Sequence, residues 1–186
     1  MNKALRQIFW GYVFIFFRIH IGFDVLADPI GYFLILSGCS KLVEAYPVAK
    51  KAMIVAMIGA IVSLPSVFVN LSEIPLTFGW STYSSFLLVL KMVMGYYLFI
   101  VLKDVTKVFG GRALHQRIEN TFKFYVAIHL FALAIQSFFM NVPEDGWAAL
   151  SLLSLIGVLV IDILFLLLIG AIRRVSPEQL RVDTFI

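Results

Sequence analysis

Residues 147–172 read WAALSLLSLIGVLVIDILFLLLIGAI, a run of twenty-six residues with a single charge, Asp162. At roughly 1.5 Å of rise per residue, a helix of this length reaches about 39 Å, more than the ~30 Å hydrocarbon core of a bilayer. Backbone N–H and C=O groups find no water in lipid, so such a run spans as a helix, which satisfies them internally. This one segment decides the class: an all-α, polytopic transmembrane bundle.

The rest of the chain agrees with that reading. Of 186 residues, 61% are hydrophobic and only 14% are charged, and the mean hydropathy is +0.97. A soluble domain is roughly 45–50% apolar and about 25% charged, because it must cover its surface with polar groups. Five further runs approach spanning length, at about 4–23, 29–46, 51–70, 83–105 and 120–141, giving six spans and a short tail over 173–186. Asp28-Pro29 marks a helix start, since a carboxylate caps and proline suits the first helical position. Pro47 ends the second run, and Pro65 is expected to kink the third without ending it. Arg18 and His20 interrupt the first run, where a signal peptide would be unbroken, so a retained first span is expected. The turn between the first two runs is very short, and a shallow or re-entrant hairpin is the alternative there.

Charge sets the orientation. Twelve of the fifteen Lys and Arg fall in alternate loops: Lys3 and Arg6; Lys41, Lys50 and Lys51; Lys103, Lys107, Arg112 and Arg117; Arg173, Arg174 and Arg181. The other turns carry acids only, Asp24, Asp28, Glu73, Glu144 and Asp145. The positive-inside rule then puts both termini in the cytoplasm. The same clustering argues against nucleic acid as a partner despite the net charge of +4, because short basic clusters between apolar runs are topology signals.

Ionisable residues inside a bilayer are costly and are functional candidates by default. Lys91, His129 and Asp162 lie near the middle of their runs. They are expected to form either a charge relay or solute site, or a structural ion pair joining two spans. Gln136, seven residues from His129, shares its helix face. Arg18, His20, Asp24 and Asp28 form a second polar group, read as an anion or proton site, or as the anchor of a hairpin. Ala52, Ala56 and Ala60 make a small-residue stripe that permits close helix contact, within the bundle or with a membrane partner. Trp10, Trp80, Trp147, Tyr46 and Tyr83 fall near expected interfaces.

Cys39 is the lone cysteine, so neither an internal disulfide nor a cysteine metal site is expected. No P-loop, dinucleotide fingerprint or zinc-protease motif occurs, and no cofactor or metal is expected. Three functions stay open: small-solute transport or membrane-embedded substrate binding, a scaffold or regulator of a partner protein, and a membrane-embedded enzyme. The partners expected are the lipid bilayer, a small-molecule ligand and a membrane protein.

Residues 22–32 read GFDVLADPIGY. This stretch resembles the N-terminal hairpin of a group of small multi-span membrane proteins of Bacillus-type bacteria, which carries an Asp-x-Leu-Pro-Asp-x-Ile-Gly-Tyr-like motif. Asp24, Leu26, Asp28, Ile30, Gly31 and Tyr32 match, Ala27 stands where that pattern has proline, and Pro29 is additional. The resemblance implies the bacterial cytoplasmic membrane and assigns no activity. In size and topology the chain also resembles the substrate-binding subunits of energy-coupling-factor vitamin transporters. Their Ala-x-x-x-Ala partner motif lies in the first helix, whereas the alanine series here lies in the third run.

Overall fold

The computed structural model describes the backbone of residues 1–21, 27–68, 78–109, 111–139 and 144–175, and side chains within these except at 17–21, 27, 67–68, 78, 108–109, 139 and 144–148. The described residues form helices joined by turns, without a strand: α1 (Asn2–Ile21), α2 (Ala27–Ser40), α3 (Ala49–Val62), α4 (Pro65–Phe68), α5 (Phe78–Phe109), α6 (Arg112–Phe139) and α7 (Glu144–Arg174). Three stretches are long and apolar enough to cross a membrane: Gly79–Lys107, Arg112–Phe138 and Ala149–Arg174. By contrast α2 and α3 have 14 residues each, about 21 Å of helix.

The long helices pack in chain order into a closed ring. α1 meets α2, α2 meets α3, α3 meets α5, α5 meets α6, α6 meets α7, and α7 returns to α1, with α5 also touching α7 across the ring. The outward faces are apolar. Phe124, Leu130 and Phe138 of α6, and Leu153, Ile156 and Leu167 of α7, are all exposed. Exposed apolar area on this scale suits a hydrocarbon surrounding and not water.

Several contacts gather the basic loops at one end of the ring. Lys41 Nζ donates to Gln7 Oε1 at 2.7 Å, and Gln7 Nε2 donates to Ser37 Oγ at 3.1 Å. The Arg173 guanidinium lies 5.9 Å over the Phe9 ring, and Lys103 Nζ pairs with Glu119 at 2.6 Å. The start of α1 thus shares this basic end with the ends of α2 and α7, and α5 ends where α6 begins.

α1 and α2 run antiparallel with their backbones almost touching. A Cβ built on Gly31 would lie 2.6 Å from the Gly11 carbonyl oxygen, and one on Gly38 would lie 2.8 Å from that of Ala4. Only glycine admits this approach, and it fixes the register of the hairpin.

Three details differ from the sequence-based expectation. α2 ends at Ser40, and residues 41–45 continue as turns, with Leu42 N–H on Cys39 O (2.9 Å) and Tyr46 N–H on Leu42 O (2.8 Å). Pro65 breaks the third run outright. The carbonyl of Ile61 would await an N–H at position 65, which proline lacks; Leu64 N–H takes it instead at 3.2 Å. Ser66 N–H turns to Ser63 O at 3.2 Å, and the carbonyl of Val62 is met by the Tyr83 hydroxyl at 2.8 Å. The break survives because each of these oxygens has a donor. Finally, the buried small stripe on α3 is Ala49, Ala52, Ala56 and Gly59, with Ala60 only partly buried. Gly59 lies against the Tyr32 ring, so the stripe serves an internal contact with α2.

Candidate functional site

α5, α6 and α7 each bring one mid-helix ionisable residue to a common point inside the ring. Lys91 forms an ion pair with Asp162, at 1% and 0% exposure. His129, also fully enclosed, holds its Nε2 3.8 Å from Asp162 Oδ1. The sequence alone marks these three. What it does not mark is the contribution of two tyrosines. Tyr12 of α1 donates to Asp162 Oδ1 at 2.8 Å, and its oxygen lies 2.9 Å from that of Tyr125 on α6.

Donor accounting fixes the direction of this network. Tyr12 has one proton, and Asp162 takes it, so Tyr125 is the donor to Tyr12. The Lys91 carbonyl is a second acceptor for the same Tyr125 proton, at 3.3 Å. His129 Nδ1 lies 2.9 Å from the Tyr125 carbonyl, and a carbonyl only accepts, so Nδ1 carries the hydrogen. In its neutral form the ring presents a lone pair at Nε2, on the side of Asp162. A proton added there would face a carboxylate. The five groups therefore make a continuous line, Tyr125 to Tyr12 to Asp162, with Lys91 and His129 on either side.

Aromatic rings close the line toward the basic end. Phe165, one turn past Asp162, stacks at 4.4 Å on Phe99 and meets the Tyr12 ring edge-on at 4.7 Å. Tyr125 stacks at 4.1 Å on His129. Beyond this floor, Leu98, Val101, Leu168 and Ile169 are each 0% exposed. On the opposite side of the cluster the buried side chains keep a little more surface. Leu87 and Leu90 keep 8%, Ala132 7%, Ile135 8% and Val158 4%.

The other sequence-marked residues are distributed elsewhere. Gln136 sits half-buried on α6, two turns beyond His129, outside the hydrogen-bond network. Arg18 and His20 lie on α1, but their side chains fall outside the described residues, as does Asp24 altogether. Asp28 is buried in the first turn of α2. The alanine stripe is remote from the cluster, on the α2 side of α3. Among the described residues no group of His, Cys, Asp and Glu has metal-binding geometry. A signal for one of the tyrosines does exist: Tyr125 and His129 stand four apart on one helix face.

The sequence matches no family model, no curated protein and no solved structure.

Proposed function

We propose that the chain is a multi-pass protein of the bacterial cytoplasmic membrane, with six spans and both termini on the cytoplasmic side. We further propose that the Lys91–Asp162–Tyr12–Tyr125–His129 cluster is the solute site of a small-solute transporter or of its membrane-embedded binding subunit. The gathering of Lys41, Lys103 and Arg173 at one end of the ring supports the orientation. The short α2 and α3 are accommodated by local thinning of the bilayer and by snorkelling side chains.

The observation that carries the solute reading is the convergence itself. Five groups able to donate, accept or take up a proton meet at mid-depth from four helices, whereas a simple interhelical clasp needs two. A buried ion pair is also a poor stabiliser, since desolvating both charges costs several kcal/mol and well-packed apolar residues do as well or better. Retaining charges there is more readily explained by use than by stability. The packing supports an entry side. The aromatic floor and enclosed layers block the basic end, and the layers that keep some surface lie opposite, toward the proposed outside.

The near-zero exposure of Lys91 and Asp162 favours a second reading, a scaffold whose charge pair fixes helix order. A thermal-shift screen separates the two. Detergent-purified protein is tested against vitamins, other small metabolites and ions, because a ligand of the native state raises its apparent stability by mass action. Under the solute reading one class shifts the transition, and Lys91→Met, His129→Ala and Asp162→Asn abolish the shift. Folded variants with no shift from any candidate would move the assignment to the scaffold.

A further inference from the structure

Outside the ring, α5 and α6 enclose a lateral groove of about 420 Å³ at the basic end. Its wall includes Tyr96, Phe99 and Phe122, and its rim is made by Lys103, Glu119 and Lys123. The wall is aromatic, with the Phe99 and Phe122 rings 5.4 Å apart and inclined at 59°. The rim is charge-imbalanced. Lys103 pairs with Glu119, and His115 Nε2 lies 3.7 Å from the same carboxylate, whereas Lys123 is exposed and closes no ion pair among the described residues. The rim thus carries two ammonium groups and one carboxylate, which Lys103 already engages.

Depth adds the second constraint. Lys123 stands six residues from His129, and Lys103 twelve from Lys91, so they lie about 9 Å and about 18 Å from the level of the central cluster. A hydrocarbon half-core is ~15 Å thick. The rim therefore lies at headgroup level, within reach of a snorkelling Lys123, while the aromatic wall descends into the acyl region. We infer that this groove is a site for one anionic phospholipid, with its phosphate between Lys103 and Lys123 and an acyl chain along Phe99 and Phe122. This rests on the membrane placement proposed above and not on the solute site.

Native mass spectrometry of the full-length protein released from detergent tests it, with dioleoylphosphatidylglycerol and dioleoylphosphatidylcholine as probes. One phosphatidylglycerol is expected to be retained in preference to phosphatidylcholine by about fivefold or more, the selectivity one lysine confers near a lipid surface. Lys123→Ala should erase most of that preference, and Lys123→Arg should keep it. Equal retention of the two lipids, or an undiminished preference in Lys123→Ala, overturns the assignment. So does displacement of the lipid by inorganic phosphate at matching concentration, since the aromatic wall would then contribute nothing. Vesicle flotation tells the failures apart. A chain that floats without lipid preference loses only this site, whereas one that does not float loses the membrane placement too.

Discussion

Toward the basic end from the Lys91–Asp162 pair, Leu98, Val101 and Leu168 are completely enclosed, while toward the other end Leu87, Leu90 and Ile135 retain some surface. The same helices build both layers, so helix propensity is not the cause. Side-chain size and register are. Below the pair, Phe99, Tyr125 and Phe165 fill the ring with interlocked aromatics. Above it, aliphatic side chains and Ala132 take the place of the aromatics and keep a little more surface. The charged cluster sits at the boundary, with a sealed floor and a softer roof.

The largest effect should come from breaking that boundary. Asp162→Ala leaves the Lys91 ammonium enclosed and uncompensated, which should cost about 3–5 kcal/mol in detergent unfolding. The double variant Lys91→Leu/Asp162→Leu should recover most of the loss and still bind no solute. A double variant that stays as unstable as the single would show that the tyrosine network, not the charge, holds the boundary. Next comes the α1–α2 seam. Gly31→Leu puts a side chain into the Gly11 carbonyl and should cost roughly 1–3 kcal/mol by overpacking. Gly170→Ala, with nothing within 4 Å of the new methyl, should stabilise by up to ~1 kcal/mol. Equal effects would mean the helices part freely at the seam.

Access can be compared directly on a Cys39→Ala background. A water-soluble maleimide should label Leu90→Cys about tenfold faster than Leu98→Cys, a difference of ~1.4 kcal/mol in local opening. Equal rates would dissolve the contrast between the layers. The smallest expected change is at the proline break. Tyr83→Phe withdraws the donor to the Val62 carbonyl and should cost ~1 kcal/mol, read from the same unfolding curves.

Much of this was legible before the structure. A charge in an apolar run cannot be missed, so Lys91, His129 and Asp162 stood out one by one. Their meeting was not legible, because periodicity assigns residues to faces and says nothing about which faces meet. Tyr12 and Tyr125 were hidden by the abundance of aromatics in the chain. On α3, Ala52 and Ala56 are buried in the expected register, and at the far end Gly59 takes the inward position in place of its neighbour Ala60. The end of α2 was set too late, since the apolar run outlasts the helix: residues 41–45 carry the chain on as turns toward Pro47.

The closure of α7 on α1 also bears on how the protein is made. Asp162 follows Lys91 by 71 residues and Tyr12 by 150. At 5–20 residues per second, α5 waits about 4–14 s for the carboxylate that neutralises it. During that interval the nascent chain holds a lone ammonium among apolar helices. Truncation before α7 leaves Lys91 without its carboxylate partner and should turn the bundle into a substrate for proteolysis.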